Sequence, residues 1–420
     1  MASVRKLANG VRVICDPMPG LETVALSVMA GRGARFEDLE RSGWSHLLEH
    51  MVFKGAGQRS AREIVEVIEA EGGQINAATG YERTSFQIRA LKGGLDLGLA
   101  ELSDLMLRPW LDAGDLAREK QVVAQEIAEA ADTPDDLVFE LAQDAAFEGQ
   151  PLGRSILGTT ASIAGATPER LAEWRAALYG ADGLVVSAAG AVDEAELMEL
   201  AERSFGAAAP GAALAVPPAA QFSGGRRTVA KSLEQANLVF LLPTVGANDP
   251  DYFALRVFAE ILGGGMASRL FQEARERRGL AYAIDAYAET YVETGVLGVF
   301  AGCDAKDAAE LAQVVAGETA GLARRVEAAE LARAKAQLKG ATFMSRESAL
   351  SRAELNGAQL LTLGRILESA EVAQGIDEVS PERLAPLGEA MLGAGRSAAA
   401  VLGPKPALGA ADAYRKAVGG

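Results

Sequence analysis

The run GAAAPGAALAVPPAAQFSGG, residues 206–225, divides this 420-residue chain into nearly equal halves. Rich in Ala, Pro and Gly and without a charged residue, it offers no apolar period around which a core element could form, so it reads as an interdomain linker. Each half opens with strand-like segments, VALSVMAG at 24–31 and ANLVFLLP at 236–243, and passes through a polar turn into an amphipathic helix. SGWSHLLEHMVFKG at 42–55 lies over YFALRVFAEILGGG at 252–265, which puts Arg256, Ala259 and Glu260 where the first copy has His46, Glu49 and His50. Internal duplication is the expectation. VRVIC, ahead of Asp16-Pro17, reads as the first strand, and Ser60-Ala61-Arg62-Glu63 as a capping box opening a helix that ends at Gly72-Gly73. QINAATGYERTSFQIRAL, 74–91, reads as a hairpin, and the glycines at 263–265 as a helix end, since no GK[ST] follows them. Strands mixed with helices, without clean βαβ repeats, predict an α+β fold: two homologous domains of mixed, largely antiparallel sheet packed with helices, spanning 1–205 and 226–420.

Composition removes several function classes. The formal charge of −16 and pI of about 4.8 have the wrong sign for binding phosphate backbones, so nucleic acid is not an expected partner. Hydrophobic residues at 49% and charged residues at 23% suit a soluble globular protein. No stretch reaches the ~20 apolar residues of a membrane span, and the first residues lack a signal-like apolar run, so no membrane association is expected. Cys15 and Cys303 form no CxxC and no metal spacing. A reducing compartment fits, cytoplasmic or resembling the mitochondrial matrix.

The chain has two histidines, and both lie in His46-Leu47-Leu48-Glu49-His50. At 100° per residue, His46, Glu49 and His50 fall within about 100° of arc on one helix face. Trp44, Leu47, Leu48, Met51 and Val52 make the opposite, apolar face. Two imidazoles one turn apart are spaced to share a tetrahedral zinc, with Glu49 placed to take a proton from a water held by the metal. HxxEH alone fits two surface histidines equally well. In LDAGDLAREKQVVAQEIAEAADTPDD, 111–136, Glu119 and Glu126 are two helical turns apart on one face, with Leu116, Val122, Val123, Ile127 and Ala130 projecting on the same side. Carboxylates set in an apolar stripe are costly to bury unless paired or bound to a metal.

HLLEHMVFKG, followed by Glu126 at 76 residues from His50 (126 − 50), resembles the signature of the pitrilysin-type metallopeptidases, which include insulin-degrading enzyme and the mitochondrial processing peptidase. The resemblance implies that His46, His50 and Glu126 hold one Zn2+ per chain, that Glu49 is the general base, and that Glu119 is a supporting carboxylate. GGQINAATGYERTSF at 72–86 is similar to the family's edge strand, which implies substrate added as an extra strand with Asn76 and Ala77 at its backbone. SRLFQEARERRGLAY at 268–282 resembles the family segment that carries an Arg and a Tyr, here Arg275 and Tyr282, which would hold the developing oxyanion or the substrate backbone.

The first domain is therefore expected to be catalytic and zinc-binding, and the second to lack a metal site while contributing Arg275 and Tyr282. The expected activity is zinc-dependent endopeptidase action on unfolded peptides, by a homodimer as in short-chain members of that family. Two other readings share the fold: a presequence-processing peptidase of narrow specificity, and a non-catalytic assembly or binding subunit. A purely structural zinc would need a fourth ligand, and no further His or suitable Cys stands near.

Overall fold

Long apolar runs lay down the centre of a six-stranded sheet in the first half of the chain. Its order is Ser3–Lys6, Arg12–Pro17, Leu184–Gly190, Thr23–Ala30, Thr84–Leu91, Gln74–Thr79, in a computed structural model that describes residues 2–419. The pairing of Arg12–Pro17 with Leu184–Gly190 is parallel and the others are antiparallel. Thr23–Ala30 and Leu184–Gly190 are buried almost throughout, because both faces of the sheet are covered. Side chains of Thr23–Ala30 divide by the two-residue period: Val24, Leu26 and Val28 enter the main core with Leu47 and Leu48, whereas Ala25 meets Ala189 and Ala353 on the other face.

That second face is covered from far along the sequence. The helix Ala349–Leu363 packs on Thr23–Ala30 and Leu184–Gly190, and Asp16 accepts hydrogen bonds from Arg352 Nε at 2.8 Å and Asn356 Nδ2 at 2.9 Å. The first compact unit accordingly takes residues to 128, 155–217 and 343–368; the second takes 129–154, 218–342 and 369 onward. Residues 208–224, within the expected linker, carry no regular element.

The second unit holds a five-stranded sheet in the order Gly225–Ala230, Ala398–Gly403, Ala236–Thr244, Gly295–Cys303, Ala283–Thr290. Its first pairing is parallel and the rest antiparallel, the sequence of directions found from Arg12–Pro17 onward in the first sheet. In both units a helix comes after the matched strands Thr23–Ala30 and Ala236–Thr244: Trp44–Val52 in one, Tyr252–Gly263 in the other. The fold is α+β, a repeated strand topology with largely antiparallel sheets. Here too a helix comes from the other half of the sequence. Pro134–Ala146, begun by a proline at its first turn, packs on Ala398–Gly403 and Ala236–Thr244.

Two local expectations need correction. VRVIC belongs to the second strand, because Ser3–Lys6 precedes it and pairs with it antiparallel; that strand lies at the sheet edge and is largely exposed, so it carries no apolar signal. Val122 is exposed, since it sits 100° from Val123 and off the stripe of Leu116, Glu119 and Val123. The capping box at Ser60 and Glu63 and the hairpin of Gln74–Thr79 with Thr84–Leu91 form as expected.

Candidate metal centre

The helix Trp44–Val52 is short, nine residues, and marginal by itself, so its surroundings fix it. Trp44, Leu47, Leu48, Met51 and Val52 are fully buried in the first core. Its N-terminus is held by Glu37, whose carboxylate accepts the backbone N–H of Gly43 and of Ser45, each at 2.7 Å. Gly43 has φ +86°, and a Cβ there would stand 2.4 Å from Leu157 O, so only glycine fits this entry to the helix. Trp44 Nε1 donates to Ser162 O at 2.9 Å, a second fixed point.

With the apolar face buried, His46, Glu49 and His50 share the remaining face. The helix Ala113–Asp132 brings Glu119 and Glu126 to them. His46 Nε2 and His50 Nε2 approach the same oxygen, Glu126 Oε2, at 3.7 and 3.4 Å. Donor atoms of the three residues all lie within 4.8 Å of one another, and no other such trio of His, Cys, Asp or Glu occurs among the described residues. Two imidazole nitrogens and a carboxylate oxygen turned toward one point suit a borderline-soft divalent cation, and a tetrahedral one keeps a position open. The donor set fits zinc.

Around these three stand supporting groups. His50 Nδ1 lies 3.1 Å from Glu119 Oε2, and Lys54 Nζ lies 2.7 Å from Glu119 Oε1. Glu119 is only 5% exposed, and these two partners satisfy it. His46 Nδ1 is buried and makes no hydrogen bond among the described residues. Burial, and secondarily the neighbouring His50, pull the His46 pKa down to about 4, so its imidazole is neutral over the range in which a metal ligand must be. Burial raises the Glu49 pKa, a shift opposed by a hydrogen bond from Thr79, whose Oγ1 donates to Glu49 Oε2 at 2.6 Å. A carboxylate tuned upward between a burial effect and a hydrogen bond is suited to take and return a proton.

Other predicted residues are placed as follows. Asn76 and Ala77 lie on Gln74–Thr79, the outermost strand of the first sheet, where Asn76 Oδ1 accepts the Ala77 N–H at 2.9 Å. Arg275 and Tyr282 belong to the second unit. The Arg275 guanidinium lies over the Phe271 ring at 4.7 Å, in the π-helical segment Phe271–Arg277, and the Tyr282 hydroxyl donates to Asp304 Oδ1 at 3.0 Å. Arg256 and Glu260, the counterparts of two metal-helix positions, form no metal trio. The sequence reading missed Thr79, Lys54 and Glu37. Lys54 sat inside the quoted motif, and its spacing from His50 was the available signal.

An inverted HxxEH helix beside a glutamate-bearing helix defines a His-His-Glu site of the kind zinc-dependent peptidases carry. Residues 12–160, which contain all of it, match the family described as Insulinase (Peptidase family M16), and residues 165–338 match the Peptidase M16 inactive domain. The chain belongs to peptidase family M16. It is 34% identical over 382 residues to an uncharacterised zinc protease of Rickettsia felis, covering 90% of this chain and 92% of that one. It is likewise 34% identical over 378 residues to one of Bacillus subtilis, covering 90% and 92%. Among solved structures, a protease from Helicobacter pylori shares the fold with a TM-score of 0.90 at 21% identity, covering 96% of this chain and 99% of the other. Complex III2 from Candida albicans gives a TM-score of 0.84 at 20% identity, covering 99% of each chain. No helix among the described residues is long and apolar enough to cross a membrane.

Proposed function

We propose that the protein is a zinc-dependent endopeptidase of unfolded peptides, with His46, His50 and Glu126 as ligands of one zinc per chain and Glu49 as general base. The observation that carries this reading is the convergence of both imidazole Nε2 atoms on one Glu126 oxygen, with Glu49 on the same helix face. Zinc, when bound, supplies a Lewis acid that polarises a carbonyl and makes water acidic near neutral pH. Glu49 takes a proton from the attacking water and passes it to the departing amide nitrogen as the C–N bond breaks. Glu119 holds the His50 ring by Nδ1 and, with Lys54, keeps that hydrogen bond charge-assisted. Asn76 and Ala77 stand on an unpaired sheet edge, which can take a peptide as a further strand. By the family resemblance, Arg275 and Tyr282 bind the substrate backbone or the oxyanion, and the assembly is a homodimer working in the cytoplasm.

The match of residues 165–338 to a domain described as inactive raises a second reading, a non-catalytic assembly subunit. That match leaves out His46, Glu49, His50 and Glu126, all of which lie in the other matched segment. Purified protein assayed for zinc and for cleavage of an unstructured peptide separates the two. The proposed function predicts both, and His46→Ala is predicted to lose both. Stoichiometric zinc without cleavage of any peptide favours the assembly subunit.

A further inference from the structure

Thr79 is the last residue of the edge strand Gln74–Thr79, facing Thr84 across the hairpin. Its hydroxyl, which has one proton to give, lies 2.6 Å from Glu49 Oε2 and 3.5 Å from Ser45 O. The shorter contact, to a carboxylate, takes the proton. Because threonine is β-branched, its χ1 is stiff, and the strand backbone therefore sets the direction of that hydroxyl. The backbone N–H of Thr79 reaches the same carboxylate, so the two contacts from one residue restrain a terminal torsion that by itself has broad minima. We propose that Thr79 is a positioning residue for the reaction: it ties down Glu49 Oε2, fixes the carboxylate plane, and leaves Oε1 as the oxygen that takes and returns the proton.

The role rests on Glu49 being the base in the function proposed above. It also places that base under the control of the strand on which a peptide would pair, since Asn76, Ala77 and Thr79 belong to one short strand. A base held within hydrogen-bonding tolerance of its target works; one that rotates spends most of its time misdirected.

The test uses the full-length, zinc-loaded protein and a quenched-fluorescent unstructured peptide. Thr79→Val removes the donor at nearly constant size, and Thr79→Ser restores a hydroxyl. Thr79→Val is expected to lower kcat by ~10–100-fold with KM within about twofold of wild type, and to keep wild-type zinc content and melting temperature. Thr79→Ser is expected to recover most of the rate. In a Glu49→Gln background, Thr79→Val should cost nothing more, because the group it positions is gone. An unimpaired Thr79→Val, or a Thr79→Ser as slow as Thr79→Val, overturns the role. Should Thr79→Val lose zinc or unfold, the comparison passes to Thr79→Ser against Thr79→Ala, where equal kcat values overturn it. Zinc-loaded wild type that cuts no peptide overturns the catalytic reading and this role together, whereas wild-type cleavage with an unimpaired Thr79→Val overturns the role alone.

Discussion

His50 Nδ1 and Glu119 Oε2 are 3.1 Å apart, while His50 Nε2 faces Glu126 at 3.4 Å. A carboxylate that only accepts keeps the ring proton on Nδ1, which would leave the Nε2 lone pair for the metal of the proposed site. Lys54, at 2.7 Å from the other Glu119 oxygen, keeps the carboxylate paired. The most buried acid of the proposed site thus touches one of its histidines and not the point where both Nε2 atoms converge.

On the proposed function, Glu119→Ala should weaken zinc binding by ~10–100-fold without abolishing it, because all three proposed ligands remain. Glu119→Gln should fall between Ala and wild type, as its amide oxygen still accepts but carries no charge. Competition with a chromophoric chelator measures both. Wild-type affinity in Glu119→Ala would mean that His50 needs no orienting partner.

His46 gives a pH signature in the metal-free protein. Burial first and His50 second lower its pKa from 6.5 to about 4. Above pH 6.5 neither the folded nor the unfolded chain carries this proton; between 6.5 and 4 the unfolded chain binds it and the folded chain does not. Stability is thus fully present above the unfolded pKa and is lost as pH falls toward the folded one, by up to roughly 3 kcal/mol. With only two histidines in the chain, imidazole NMR resonances can follow each ring directly. A His46 resonance titrating near 6.5 would contradict the burial of that ring.

The pair Asp16 and Arg352 carries a prediction about folding. Asp16 is almost fully buried and its carboxylate is held by Arg352 and Asn356, both on the late helix Ala349–Leu363. Arg352→Ala leaves that carboxylate with only the Asn356 amide and should destabilise the first unit by about 3 kcal/mol. Denaturant unfolding followed by circular dichroism reads this out, and zinc content per folded chain should not change. A variant as stable as wild type would show that the pair contributes no net stability.

These contacts mark what the sequence could and could not disclose. The histidine helix was legible because its apolar face and its polar trio follow one helical period, and because the chain has no other histidines to confuse the pattern. Glu119 and Glu126 were legible as carboxylates within a packing stripe. Thr79 was not, because its contact joins a strand end to a helix 30 residues earlier, and no local period encodes that. The exchange of helices was equally hidden: Pro134–Ala146 and Ala349–Leu363 each show an ordinary amphipathic pattern, which says that a face is buried but not which sheet buries it. Ser3–Lys6 went unread because an exposed edge strand has no apolar alternation to display.

In the proposed mechanism Glu49 moves the proton while His46, His50 and Glu126 hold the metal, and Glu49→Gln separates these tasks. The measurement is zinc content and peptide hydrolysis on the same preparation of wild type and Glu49→Gln, checked for equal folding. Both proteins should hold close to one zinc per chain, with kcat in the variant lower by ~10²–10⁴-fold because the base alone is gone. A zinc-loaded Glu49→Gln protein that cuts peptides at near the wild-type rate would contradict that mechanism.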